Sequence, residues 1–353
     1  MPRKKTRDLK YAYAAKIGFH QSIIQVYAES EHGGDSKRVS PFGKISSAFC
    51  KNVDRIDAMA ALPVHAALVS RVMHSAYALA CFRVTGNVDP DVADKSVMRK
   101  IFTEHDKIVS DYRKKLFSGS GLQEAWEADS KNFSEMLNTA PDTIRSGAEA
   151  VFDSQIIGTW ITFETLAGDL WEKALNVHPS ILAELAGSNK RISKAANTAY
   201  SKSRRDSDQE TATERRISLP ALARATKGFT STGKFNKMGT ILRDEGEGKF
   251  ASLDNIRRSY SRAFNKDYDQ LDAVLKDKCF DALAVVRNVL VHKAGFMDEE
   301  YEKNSKGLPV PQSRIGKPLE LDGEITLRLT RPVIEKSGQL TEAVDSWLEK
   351  HGA

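Results

Sequence analysis

Residues 154–175, SQIIGTWITFETLAGDLWEKAL, repeat their apolar side chains every three or four positions, the period of an α-helix and not of a strand. Ile156, Ile157, Trp160, Phe163, Ala167, Leu170, Trp171 and Ala174 make one stripe, with Thr162, Thr165, Asp169, Glu172 and Lys173 opposite. Glu164 breaks the pattern by falling inside the stripe, between Trp160 and Trp171. A carboxylate there must be paired or have its pKa raised, and Arg287 is the expected cation, with a backbone or tyrosine partner as the structural alternative.

The same period dominates the whole chain, and strand-like alternation is scarce, so the expected fold is mainly α. Helices are expected at 7–29, at 53–84 with an interruption near Pro63, at 89–117, at 122–138 and at 143–177. Shorter ones follow at about 219–227, 252–264, 278–294 and 338–350, and PLELDGEITLRLT in the tail reads as a small β-hairpin. A polar run at 188–216 separates the long helix from the later ones, and its first part holds basic residues and no acids. It reads as a solvated loop, or as a patch contacting phosphates through Lys190, Arg191, Lys194, Lys202, Arg204 and Arg205.

With 353 residues the chain suffices for two domains or one large one, and 41% hydrophobic with 28% charged residues is ordinary for a soluble globular protein. A net charge of +6 permits a polyanionic partner without demanding one. Cys50, Cys81 and Cys279 are far apart and form no CxxC pair, which points to a reducing cytoplasm and to neither a disulfide framework nor a zinc knuckle. The basic N-terminus lacks the apolar stretch of a signal peptide, and AMAALPVHAALV at 58–69 is too short to span a bilayer, so no membrane is expected.

Three familiar chemistries find no support. GFTSTGKF at 228–235 approaches a P-loop, but Phe235 stands where a hydroxyl must hold magnesium. The eight histidines include no i, i+4 pair and no HExxH, so no metal site is expected. No GxSxG elbow backs a serine nucleophile.

AVVRNVLVHKAG at 284–295 carries the strongest chemical signal. On a helical wheel Ala282, Val285, Val286, Val289 and Leu290 gather as a core face. Asn288 and His292, four apart, share the opposite side with Asp281 two turns earlier, and Arg287 lies about 140° from His292. The polar residues therefore line one exposed edge of an anchored helix.

The string RNVLVH (287–292), following the aromatic-rich helix ITFETLAGDLWEKAL, resembles the motif of HEPN domains, an arginine and a polar residue followed by a histidine. FASLDNIRRSYSRAF (250–264) and HKAGFMDEEY (292–301) are similar to the stretches that flank that motif in HEPN proteins of bacterial defence loci. The resemblance covers roughly 145–302. The expected organisation is an N-terminal helical region at 1–140 that shares in no resemblance, a HEPN-like bundle at 141–302 with a basic insertion at about 188–250, and a C-terminal extension at 303–353.

The resemblance implies a metal-independent ribonuclease without cofactor, acting as a homodimer with a composite site, as a toxin or anti-phage effector beside an antitoxin or defence partner. Arg287, Asn288 and His292 would be its catalytic residues, with Glu164 as the fourth read from the stripe. RNA supplies its own nucleophile, the 2′-hydroxyl, and an imidazole exchanges protons near neutral pH. Two alternatives stay open: an inactive HEPN domain that binds RNA or nucleotide or serves as a dimeric scaffold, and a helical interaction protein with no nucleic-acid role.

Overall fold

The computed structural model describes residues 41–91, 94–116, 131–178, 238–244, 250–264, 267–312 and 314–351. The expected helices at 7–29 and 219–227, the P-loop-like stretch and all six basic residues of the 190–205 patch lie outside them. The described chain is mainly α-helical, as its periodicity requires. We label the helices α1 (Gly43–Thr85), α2 (Lys95–Leu116), α3 (Asp142–Val177), α4 (Met238–Asp244), α5 (Leu253–Ala263), α6 (Asp269–Leu275), α7 (Lys278–His292), α8 (Glu299–Asn304) and α9 (Gly323–His351). Residues 131–139 are helical as well.

Two expectations fail at helix boundaries. Pro63 does not interrupt α1, which runs through it. Ala60 and Val64 are buried on either side of it. The tail forms no hairpin either. Pro318 makes only an isolated bridge with Phe296, and α9 begins at Gly323. Asp322 caps it, its Oδ1 accepting from the Ile325 N–H at 2.8 Å. Leu329, Val333, Leu340, Val344 and Leu348 are buried at helical spacing, so the short alternation in EITLRLT yields to a longer stripe.

The chain groups into two compact units, whose divisions fall within α1 after Arg55, within α3 after Gln155 and within α9 after Leu327. The unit holding 56–155 has a small core of Ala80, Cys81 and Ile101, with Tyr77, Val84, Val97, Met98 and Ile108 packed against it. Arg83 adds an exposed ion pair to Glu104 at 2.6 Å. Among the described residues α1 is the one helix long and apolar enough to cross a membrane by length and composition.

The other unit, built on 156–319 and the rest of α9, has an aromatic core. Trp160, Phe163, Trp171, Tyr260, Phe264 and Phe280 are all buried. Buried polar tips are satisfied where α5 meets α3: the Trp171 indole donates to the Ser259 carbonyl at 3.0 Å, and the Tyr260 hydroxyl to the Ala167 carbonyl at 2.8 Å. Arg257 joins three helices, since its fork clasps Asp281 on α7 with two bonds of 2.9 Å while its Nε donates to the Leu275 carbonyl at the end of α6. These contacts fix the pitch of α7.

Candidate active-site edge

Helix α7 starts at a cap, the Asp277 carboxylate accepting from the Cys279 N–H at 3.0 Å. Its far end is pinned by a turn in which Ala294 and Gly295 both have positive φ, and the Gly295 N–H reaches the Val289 carbonyl at 3.1 Å. The next strand-like contact, Met297 N–H to the Lys317 carbonyl at 3.0 Å, holds the chain beyond it. The histidine at the helix terminus therefore stands on a fixed rod.

The buried face of α7 consists of Phe280, Ala282, Leu283, Val286 and Val289. Val285 and Leu290, expected in the core, are only partly covered. The face is turned toward Phe280 because that ring stacks on Phe163 of α3, with centroids 4.3 Å apart. Asn288 and His292 consequently face solvent, and Arg287 sits half-buried on the flank, between the aromatic core and the exposed edge.

Arg287, Asn288 and His292 are in mutual contact. One guanidinium nitrogen of Arg287, Nη1, lies 3.1 Å from Asn288 Oδ1 and 3.2 Å from His292 Nε2. A guanidinium only donates, so Nε2 is the acceptor and the ring proton belongs on Nδ1. The arrangement presents an imidazole whose proton-accepting nitrogen is addressed by a cation. Asp281, on the same stripe, takes no part, because Arg257 occupies its carboxylate.

Glu164 is close by, but the sequence placed it too deep. The buried face of α3 is wider than the eight-residue stripe: Gln155, Thr159, Thr162 and Leu166 are buried too, whereas Ile157 is only partly covered. Glu164 sits at the border of that face, beside exposed Ile161 and Thr165, and is half-buried. Burial raises its pKa above the ordinary glutamate value, and this outweighs the opposing effects of the Arg287 charge and the Trp160 indole N–H. Arg287 thus acts on Glu164 through space, without the ion pair that the sequence suggested.

Two buried donors around this carboxyl are unsatisfied. Arg287 Nε and Trp160 Nε1 each lack a hydrogen bond of acceptable geometry, although the indole lies near enough to Glu164 to influence it. Trp160 escaped the sequence reading as anything but core. Its signal was the four-residue spacing to Glu164, which puts both on one face of α3. Among the described residues no cluster of three or more histidine, cysteine, aspartate or glutamate side chains has the geometry of a metal site.

Comparison of the chain with protein-family models, with curated proteins and with solved structures found no match.

Proposed function

We propose that this protein is a metal-independent endoribonuclease of HEPN type, working as a homodimer and acting as a toxin or anti-phage effector. The observation that carries the reading is the contact of Arg287 with both Asn288 and His292 on the exposed end of α7. Such an edge suits a phosphodiester. The 2′-hydroxyl displaces Arg287 from His292 Nε2 and gives that nitrogen its proton, the 2′-oxygen bonds to phosphorus, and the bond from phosphorus to the 5′-oxygen breaks. The departing 5′-oxygen takes a proton from the acid of a second copy, since the described residues of one chain bring one histidine to this edge.

Arg287 meets the charge that grows on the phosphoryl oxygens, a donor fixed before the reaction begins. Asn288 holds the guanidinium toward His292. The products are a 2′,3′-cyclic phosphate and a 5′-hydroxyl. Incubation of the purified protein with RNA in EDTA, beside His292→Ala, tests this. Cleavage by the wild type alone is expected, and a 2′-deoxy residue at the cut site should block it. Cleavage that needs added metal, or that survives either change, overturns the reading.

A further inference from the structure

We infer that Trp160 and Glu164 position Arg287: the Glu164 carboxylate takes the buried Nε of Arg287 on one oxygen and the Trp160 indole N–H on the other. This rests on the proposed reading only for its catalytic consequence, because the contact itself is a property of the folded unit.

Three geometric facts carry it. Trp160 Nε1 and Arg287 Nε are both buried and both lack a partner, an arrangement that folded proteins seldom tolerate. Glu164 is four residues beyond Trp160 on α3 and therefore on the same face. The stacked rings of Phe163 and Phe280 lock α3 against α7 beside them, and Arg287 follows Phe280 by two turns. The Glu164 carboxylate, with two oxygens, can accept from both donors, and it lies within the influence of each.

In that state the guanidinium is held by its inner edge. Nη1 stays with Asn288 when the 2′-hydroxyl takes its place at His292, and Nη2, which has no hydrogen bond among the described residues, is left to face an incoming phosphate. Glu164 is then a positioning residue and not the fourth catalytic group that its place in the sequence suggested. The charged group facing it is Arg287. Asn288 and His292 touch Arg287, and the remaining carboxylates of this stretch of α3, Asp169 and Glu172, are held by Arg243.

Tryptophan emission of the full-length chain, followed against pH, reads the contact directly. Subtracting a Trp160→Phe trace isolates Trp160 from the three other tryptophans. Expected is a transition that is absent in Glu164→Gln and moved to higher pH in Arg287→Gln, where the charge and the hydrogen bond that favour the carboxylate are gone. A wild-type trace without that transition, one that survives Glu164→Gln, or a midpoint indifferent to Arg287→Gln overturns the inference. Circular dichroism verifies folding. If Trp160→Phe does not fold, the Glu164→Gln and Arg287→Gln traces decide on their own.

On RNA, Glu164→Gln should lower the rate at saturating substrate by about ten- to a hundredfold and leave KM nearly unchanged, because it misplaces a guanidinium without removing it. An unchanged rate overturns the positioning role. A protein that shows the emission transition and cuts no RNA refutes the proposed function and leaves the contact standing.

Discussion

Glu172 and Glu164 stand eight residues apart on one helix and meet opposite fates. At Glu172 the short helix α4 docks closely. Arg243 reaches Glu172 at 2.8 Å and Asp169 at 2.9 Å, the Thr240 hydroxyl donates to Glu172 at 2.6 Å, and the Gly239 N–H donates to Asn176 at 2.7 Å. Arg243 also lies over the Phe250 ring, 5.9 Å from its centroid. At Glu164 an arginine acts through its charge alone, with one nitrogen on Asn288 and His292 and its Nε unpaired. One carboxylate is satisfied and structural. The other is unsatisfied, beside two donors that are unsatisfied as well.

The sharpest way to break this contrast is through the exposed edge. His292→Ala should reduce RNA cleavage by about 10²–10⁴-fold, the usual worth of a proton-transfer group, with Tm unchanged because the ring faces solvent. Cleavage gels and a thermal melt on the same preparation separate the two effects. An equal loss of Tm and activity would say that His292 is merely structural.

The clamp should respond the other way. A Cβ at Gly239 would collide with the Glu172 carbonyl, so Gly239→Ala must push α4 away from α3. Overpacking of this kind costs about 1–3 kcal/mol, read as a lowered denaturation midpoint. Activity at a temperature where the variant is folded should hardly change. Arg243→Ala should destabilise by a similar or smaller amount, since its two ion pairs are partly exposed to solvent.

The smallest effect sharpens the comparison most. Because burial raises the Glu164 pKa, the folded state favours its protonated form, and ionisation weakens stability as pH rises through the folded value. Melts of the wild type across pH check it: the stability that protonated Glu164 contributes is lost as pH rises through its folded value, and in Glu164→Gln that pH dependence should vanish. Glu172→Gln, which removes an engaged acceptor, should lower Tm at neutral pH.

Particular elements show why some of this was readable before any coordinates and some was not. The helix at 143–177 was anticipated to within a residue, as Asp142–Val177, because long periodic stripes with an acidic first residue leave little choice. α6, α8 and α4 were not foreseen, for each is six or seven residues long and takes its stability from neighbours and not from its own pattern. The hairpin expected in the tail failed for a related reason. Seven alternating residues look like a strand until the cap at Asp322 and the stripe that follows are taken together.

The site divides in the same manner. Arg287, Asn288 and His292 were legible as a group because helical geometry alone puts Asn288 and His292 on one edge, within reach of an arginine. Glu164 was legible as an anomaly, though its depth was not, because the width of the buried face depends on which helices pack around α3. Trp160 was hidden in plain core. Its indole is distinguished from that of Trp171, which donates to Ser259, by having no acceptor.

The sequence alone determined that the chain is helical and which face of α7 carries the polar trio, since both follow from local period and near-neighbour spacing. Tertiary structure decided which carboxylate found an arginine and which did not. That outcome hangs on the close approach of α4 at Gly239 and on two stacked rings, Phe163 and Phe280, brought together from distant parts of the chain. No local rule encodes the distance between two helices, and the pairing of a buried charge turns on that distance.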